Sequence, residues 1–341
     1  MKLNRKASLL FLICVGLYLA LSFALVLLLP SITAETAFLL NAFMLSIPAF
    51  LIPALIFRRK NRFPFFPAPR FSHVMLAVLL GIGCVYMNEA LMSLNNAVFF
   101  GIEIHSNATS AETILGMSTW SMIVALAVIP PISEEFIMRG ALLEAWRRYS
   151  PVGAAFLTSV LFALLHSAPS AFIIYFGIGL MLAAIYLISR NVWLTVIVHF
   201  VNNFASVLAA LSMRSNAAPG AEQADLVAEG QSMLASLTES RAGCIGMFII
   251  YAVIASLFIV PCMIALKRSC MRHKLGMYKE EAAETDPDGA VLTDAAPDIR
   301  ADGGEYGSMW SDGVLWGVIA VLIVLNVVTG LQEFGVIKLG L

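Results

Sequence analysis

Runs of about 20 apolar residues recur along the whole of this chain, and that is the length an α-helix needs to cross a hydrocarbon core roughly 30 Å thick. In lipid every backbone polar group must be satisfied internally, so only helices and closed barrels can span. These runs are continuous rather than alternating, which selects helices. The expected fold is therefore all-α, a polytopic transmembrane helical bundle of about nine spans, near residues 8–30, 36–57, 73–94, 117–137, 152–167, 170–189, 191–212, 243–266 and 313–333. Composition agrees: of 341 residues, 60% are hydrophobic and 13% charged, more apolar surface than a water-soluble chain can hide. The net charge of −1 argues against a nucleic-acid partner. The five cysteines form no Cys-x-x-Cys pair, which argues against a disulfide framework or a cysteine zinc site. The first run is too long for a signal-peptide core and lacks a small-x-small cleavage site, so it reads as a span.

Basic residues orient the spans. With the N-terminus cytoplasmic and the C-terminus outside, 18 of the 21 Lys and Arg fall on the cytoplasmic side, leaving Arg214, Arg241 and Lys338 outside. Four segments follow: helices with a basic loop over 1–116, a polar-bearing core over 117–212, an extracytoplasmic loop over 213–242, and two spans over 243–341 joined by a linker at 267–312. The linker begins basic and turns Asp/Gly/Pro/Ala-rich, a composition expected to be disordered. Phe63-Pro64-Phe65-Phe66-Pro67-Ala68-Pro69 is expected at the membrane interface, and Asn107-Ala108-Thr109 matches a weak glycosylation pattern in an outer loop.

Within the core, three apolar segments carry polar side chains that are costly at membrane depth and mark functional sites by default. The first reads Pro130-Pro131-Ile132-Ser133-Glu134-Glu135-Phe136-Ile137-Met138-Arg139. Glu135 and Arg139 stand i,i+4 with the acid first, the favourable order for a helical ion pair. Adjacent residues point about 100° apart, so Glu134 is left as the free carboxylate. The two prolines upstream remove backbone donors and are expected to kink the span. The second segment ends Phe162-Ala163-Leu164-Leu165-His166, and Phe162 lies one turn from His166. Glu134 is sixteen residues before Ser150 and His166 sixteen after it, which puts the two at one height in an antiparallel pair. The third reads His199-Phe200-Val201-Asn202-Asn203. His199 and Asn203 share a face about 12–18 Å beyond the turn at Arg190-Asn191, at a rise of ~1.5 Å per residue. Such a pair can donate hydrogen bonds to a developing oxyanion. The structural alternatives are solvated glutamates at a span end and polar side chains that join helices.

Glu-Glu-x-x-x-Arg, Phe-x-x-x-His and His-x-x-x-Asn, in this order on successive membrane helices, resemble the CAAX prenyl-endopeptidase and bacteriocin-processing (CPBP, or Abi) family of intramembrane proteases. The resemblance covers about residues 117–212 and includes Glu134, Glu135, Arg139, Phe162, His166, His199 and Asn203. It implies an endopeptidase in which Glu134 is general base for a water held with His166. His199 and Asn203 would stabilise the oxyanion, and Glu135, Arg139 and Phe162 would orient the site. Family members are often labelled metalloproteases. If zinc binds, Glu134, His166 and His199 are its expected ligands, a two-histidine, one-carboxylate set with water in the fourth position.

Two other functions use the same residue types. A proton-coupled transporter would also place Glu, His and Asn in the membrane, but would carry an inverted repeat or paired broken helices, and the sequence shows neither. A non-catalytic scaffold of the same family is the other. The expected partners are the lipid bilayer and a membrane-embedded or membrane-associated peptide or protein. The expected location is a plasma membrane, bacterial by composition.

Overall fold

The computed structural model describes residues 3–28, 32–61, 63, 68–102, 113–216, 239–285 and 312–336. Its main elements are nine helices: α1 (Leu3–Leu28), α2 (Glu35–Lys60), α3 (Phe71–Val98), α4 (Thr119–Trp146), α5 (Pro151–Leu165), α6 (Phe172–Ser189), α7 (Val192–Asn216), α8 (Arg241–Thr285) and α9 (Gly313–Glu333). No strand occurs among the described residues. Eight segments are long and apolar enough to cross a membrane, and the chain is an all-α polytopic membrane protein.

The segment expected at 152–167 differs from the other eight. α5 has only 15 residues, about 22 Å at 1.5 Å per residue, which is short of the ~30 Å core. Its start is fixed locally: the Ser150 hydroxyl accepts from Gly153 N at 3.0 Å, and Pro151 takes the first turn, where no N–H is needed. At its other end the chain turns through Ser167, at φ 47°, into a 3₁₀ turn at Pro169–Ala171. Irregular backbone at this depth is tolerated only where protein covers it, and α9 covers it. Asn326 Nδ2 donates to Leu164 O at 2.8 Å, and Glu333 Oε2 accepts from Ser170 N at 3.0 Å.

Two other expectations need correction. The fourth span does not end near residue 137 but runs to Trp146. Its polar residues are paired inside the bundle, so they do not end it: Arg139 is fully buried, and Glu144 binds Arg147, Tyr186 and Arg190. Arg139 therefore does not mark the cytoplasmic boundary. The linker expected at 267–312 is helical as far as Thr285, because Ala, Glu, Lys, Arg and Met continue a helix until Asp286-Pro287. The remainder of that linker, the glycosylation pattern, and most of the loops expected at 63–69 and 213–242 lie outside the described residues. Phe63, which is described, is buried with the Arg58 and Arg148 guanidinium groups over its ring.

α4 is central. It holds two π-helical stretches, Ile123–Val128 and Phe136–Leu143, on either side of an α-helical segment Ile129–Glu135 that carries the proline pair and the glutamates. Around it pack α1, α2, α5, α6 and α7. The main core joins Phe11, Phe136, Met138, Leu142, Trp146, Leu161, Phe162, Tyr186 and Val192 from five helices. α5 and α6 approach closely at Gly179, where a Cβ would lie 3.1 Å from Ser159 Cα.

Candidate active site

Glu135 points into the bundle and is fully buried. Its Oε1 accepts from Arg139 Nη1 at 2.7 Å and from His199 Nδ1 at 3.1 Å. Arg139 is itself fully buried, and its Nη2 donates to Gly179 O at 2.8 Å on α6. Its guanidinium also lies over the Phe162 ring, 5.0 Å from the centroid. One ion pair thus ties α4, α5, α6 and α7 together. A charge pair is tolerable in such a place because each ion has both a counter-charge and further hydrogen bonds.

Glu134, one residue earlier, points elsewhere. Its side chain keeps 24% exposure, and Oε2 stands 3.9 Å from His199 Nε2, too far for a direct hydrogen bond. That oxygen has no hydrogen-bonding partner in the protein. The glutamate also interacts electrostatically with His166, Tyr175 and Tyr18. The 100° step between neighbours on a helix therefore separates the two carboxylates, one buried in an ion pair and one facing a partly open space.

His166 caps the C-terminus of α5. Its Nδ1 lies 2.8 Å from Phe162 O. A carbonyl only accepts, so Nδ1 carries the hydrogen and Nε2 keeps its lone pair. The ring stacks on Tyr175 at 3.9 Å between centroids, with Phe162 at 4.6 Å on another side. For His199 the same reasoning applies: an ionised Glu135 can only accept, so Nδ1 holds a proton and Nε2 is turned toward Glu134.

Asn203, expected as an oxyanion donor, also serves the backbone of α4. Its Nδ2 donates to Leu126 O at 3.0 Å, and its Oδ1 accepts from Asn202 Nδ2 at 3.3 Å. The α-helical donor for Leu126 O would be residue 130 and the π-helical donor residue 131; both are proline and have no N–H. The Ile129 N–H turns back to Val124 O instead. Leu126 O therefore has no helical donor, and Asn203 supplies one across the α4–α7 interface.

The structure thus gathers Glu134, Glu135, Arg139, Phe162, His166 and His199, with Asn203 behind them on the backbone of α4. Three contributors were not singled out from sequence: Gly179 through its carbonyl, Tyr175 through its stack on His166, and Asn326 through the turn that follows His166. Tyr175 follows Pro169 by six residues in an apolar run, and only the fold brings it back onto His166. Among the described residues, no group of three or more His, Cys, Asp or Glu side chains is arranged to hold a metal ion. Of the set expected for zinc, both histidines have only Nδ1 held, by Glu135 and by Phe162 O, which leaves the Nε2 atoms as the nitrogens a metal would use.

No curated protein and no solved structure matches the chain. The family model described as type II CAAX prenyl endopeptidase Rce1-like matches residues 116–205, the interval from the start of α4 to just past Asn203 that contains every side chain expected in the site. Over this core, residues 116–205 of 341, the chain is similar to the type II CAAX prenyl endopeptidases.

Proposed function

We propose that this protein hydrolyses a peptide bond of a membrane-associated peptide or protein, using water activated by Glu134 and His166. The observation that carries this reading is the division of labour between neighbouring glutamates. Glu135 is used up by Arg139 and His199, whereas Glu134 keeps an unpartnered oxygen beside two histidines. A positioned carboxylate can accept a proton from water as general base. The resulting hydroxide attacks the scissile carbonyl carbon, and the carbonyl oxygen becomes an oxyanion. His199, held by Glu135, and Asn203 stabilise that oxyanion, as the family resemblance implies. The proton taken by Glu134 then passes to the leaving amine as the C–N bond breaks. Arg139 and Phe162 fix Glu135 and both histidine rings, and Asn203 holds the proline-broken stretch of α4. If zinc binds, Glu134, His166 and His199 would hold it and it would polarise the same water.

The proposed location is a bacterial plasma membrane. There the substrates would be peptide pheromones, bacteriocins or membrane proteins more than prenylated chains, a reading that rests on family resemblance. The test is cleavage in proteoliposomes of a panel of membrane peptides, some prenylated and some not, by the wild type and Glu134→Gln. Glutamine keeps the volume but cannot take the proton, so turnover should fall by about 10²–10⁴, the usual contribution of a general base, with thermal unfolding unchanged. A Glu134→Gln variant that cleaves at the wild-type rate would remove Glu134 from the mechanism.

A further inference from the structure

Between α1 and the C-terminal half of α2 lies a cleft of about 510 Å³ that takes no part in the site around Glu134. It falls within the roughly 300–1,000 Å³ typical of small-molecule sites. Its walls are Leu9, Leu10, Ile13, Pro53, Ile56 and Phe57, and its mouth is Lys6, Lys60 and Asn61. Lys6, Leu9, Leu10 and Ile13 repeat at helical spacing along one face of α1, so the wall runs about 10 Å inward from the lysine at ~1.5 Å per residue. Lys6 and Lys60 are both exposed, and Lys6 Nζ reaches across the mouth to Asn61 Oδ1 at 3.5 Å. None of the lining residues is acidic. Arg5 and Arg59, next in sequence to Lys6 and Lys60, are exposed, whereas Arg58 is turned inward onto Gly140 O.

We infer that this cleft binds an anionic glycerophospholipid, with an acyl chain along the Leu9–Ile13 wall and the phosphate between Lys6 and Lys60. The charge pattern selects the occupant. Two ammonium groups with no carboxylate among the lining residues, at the open end of an apolar slot, match a molecule with an anionic head and a hydrocarbon tail. The first turns of α1 and the last turns of α2 also gather the basic residues that favour the membrane face rich in anionic lipid. A zwitterionic lipid fits the walls but leaves the second lysine without a net counter-charge.

The test uses the full-length chain in detergent and native mass spectrometry with dioleoyl phosphatidylglycerol or dioleoyl phosphatidylcholine. The wild type should retain phosphatidylglycerol in preference to phosphatidylcholine. Lys6→Ala/Lys60→Ala should weaken phosphatidylglycerol by roughly five-fold per lysine, on the order of 25-fold in all, with phosphatidylcholine unchanged. Ile13→Trp, which fills the slot, should weaken both lipids. The inference fails if the double lysine variant keeps the wild-type preference, or if Ile13→Trp changes neither lipid. It also fails if a farnesylated peptide displaces phosphatidylglycerol one for one, since the cleft would then belong to the lipid of a substrate. All three readouts are of binding, so they stand apart from whether Glu134 catalyses proteolysis.

Discussion

The adjacent glutamates Glu134 and Glu135 of α4 sit in opposite surroundings, one partly exposed and one fully buried in an ion pair. Removing one partner of a buried ion pair leaves the other charge uncompensated, at a cost of about 3–5 kcal/mol. Glu135→Gln should therefore lower the unfolding temperature in detergent and reduce the folded yield, because Arg139 and His199 both lose their counter-charge. That result would contrast with an inactive Glu134→Gln that unfolds like the wild type; if instead Glu134→Gln were the unstable one, the assignment of the free carboxylate would be reversed. The i,i+4 pairing of Glu135 with Arg139 was legible in the sequence because both partners sit on one helix. The second partner of Arg139 was not: Gly179 offers a backbone carbonyl, which has no signature in a sequence, and it lies forty residues away. Asn203 shows the opposite case. Its i,i+4 spacing from His199 was visible, yet its amide is bonded to Leu126 O, because only the folded α4–α7 contact brings a proline-orphaned carbonyl within reach.

At the scale of the helix, the proline pair and Asn203 should behave as one unit. Asn203→Leu leaves the partly buried Leu126 O without a donor and should cost about 1–3 kcal/mol. In a Pro130→Ala/Pro131→Ala background the helix regains two N–H groups, so the same Asn203→Leu change should cost clearly less. A double-mutant cycle on unfolding free energy measures the coupling; a coupling of zero would mean that Asn203 does not serve α4 in this way. Restoring regular helix should also shift Glu134 relative to His166 and lower cleavage while raising stability, the opposite pairing of effects from an ordinary destabilising mutation. The α5–α6 contact gives a second check. Gly179→Ala drives a Cβ against Ser159, with Cα 3.1 Å and Cβ 3.2 Å away, and overpacking of this kind costs about 1–3 kcal/mol. The unfolding temperature should fall, and cleavage should fall with it because the Gly179 carbonyl holds Arg139. Hydropathy located all nine apolar segments but could not distinguish one that crosses from one that stops. α5 is as apolar as its neighbours, and only its length and the cap from Asn326 and Glu333 reveal that the chain turns beside His166.

For the whole molecule, a short α5 is compatible with the expected sidedness of the termini, which labelling can test. α5 and α6 enter and leave as a hairpin, so whether the turn at His166 reaches the far surface does not change which side α7 starts from. The basic bias survives too, although Arg58 and Arg139 are buried among the helices, since the exposed residues Arg5, Lys6, Arg59, Lys60, Arg268 and Arg272 all remain on one side of the expected arrangement. α8 tests it directly because its apolar part runs from Arg241 to Arg272, with one end on each face. In a Cys270→Ser background, which removes the half-buried native thiol, Glu239→Cys and Arg272→Cys place single exposed thiols at opposite ends. A membrane-impermeant maleimide applied to intact cells should label Glu239→Cys and spare Arg272→Cys, and permeabilised cells should label both. Labelling of Arg272→Cys alone would invert the molecule, placing the mouth of the Lys6–Lys60 cleft on the outer face. Equal labelling of both in intact cells would mean that α8 does not span, and the count of crossings would fall with it.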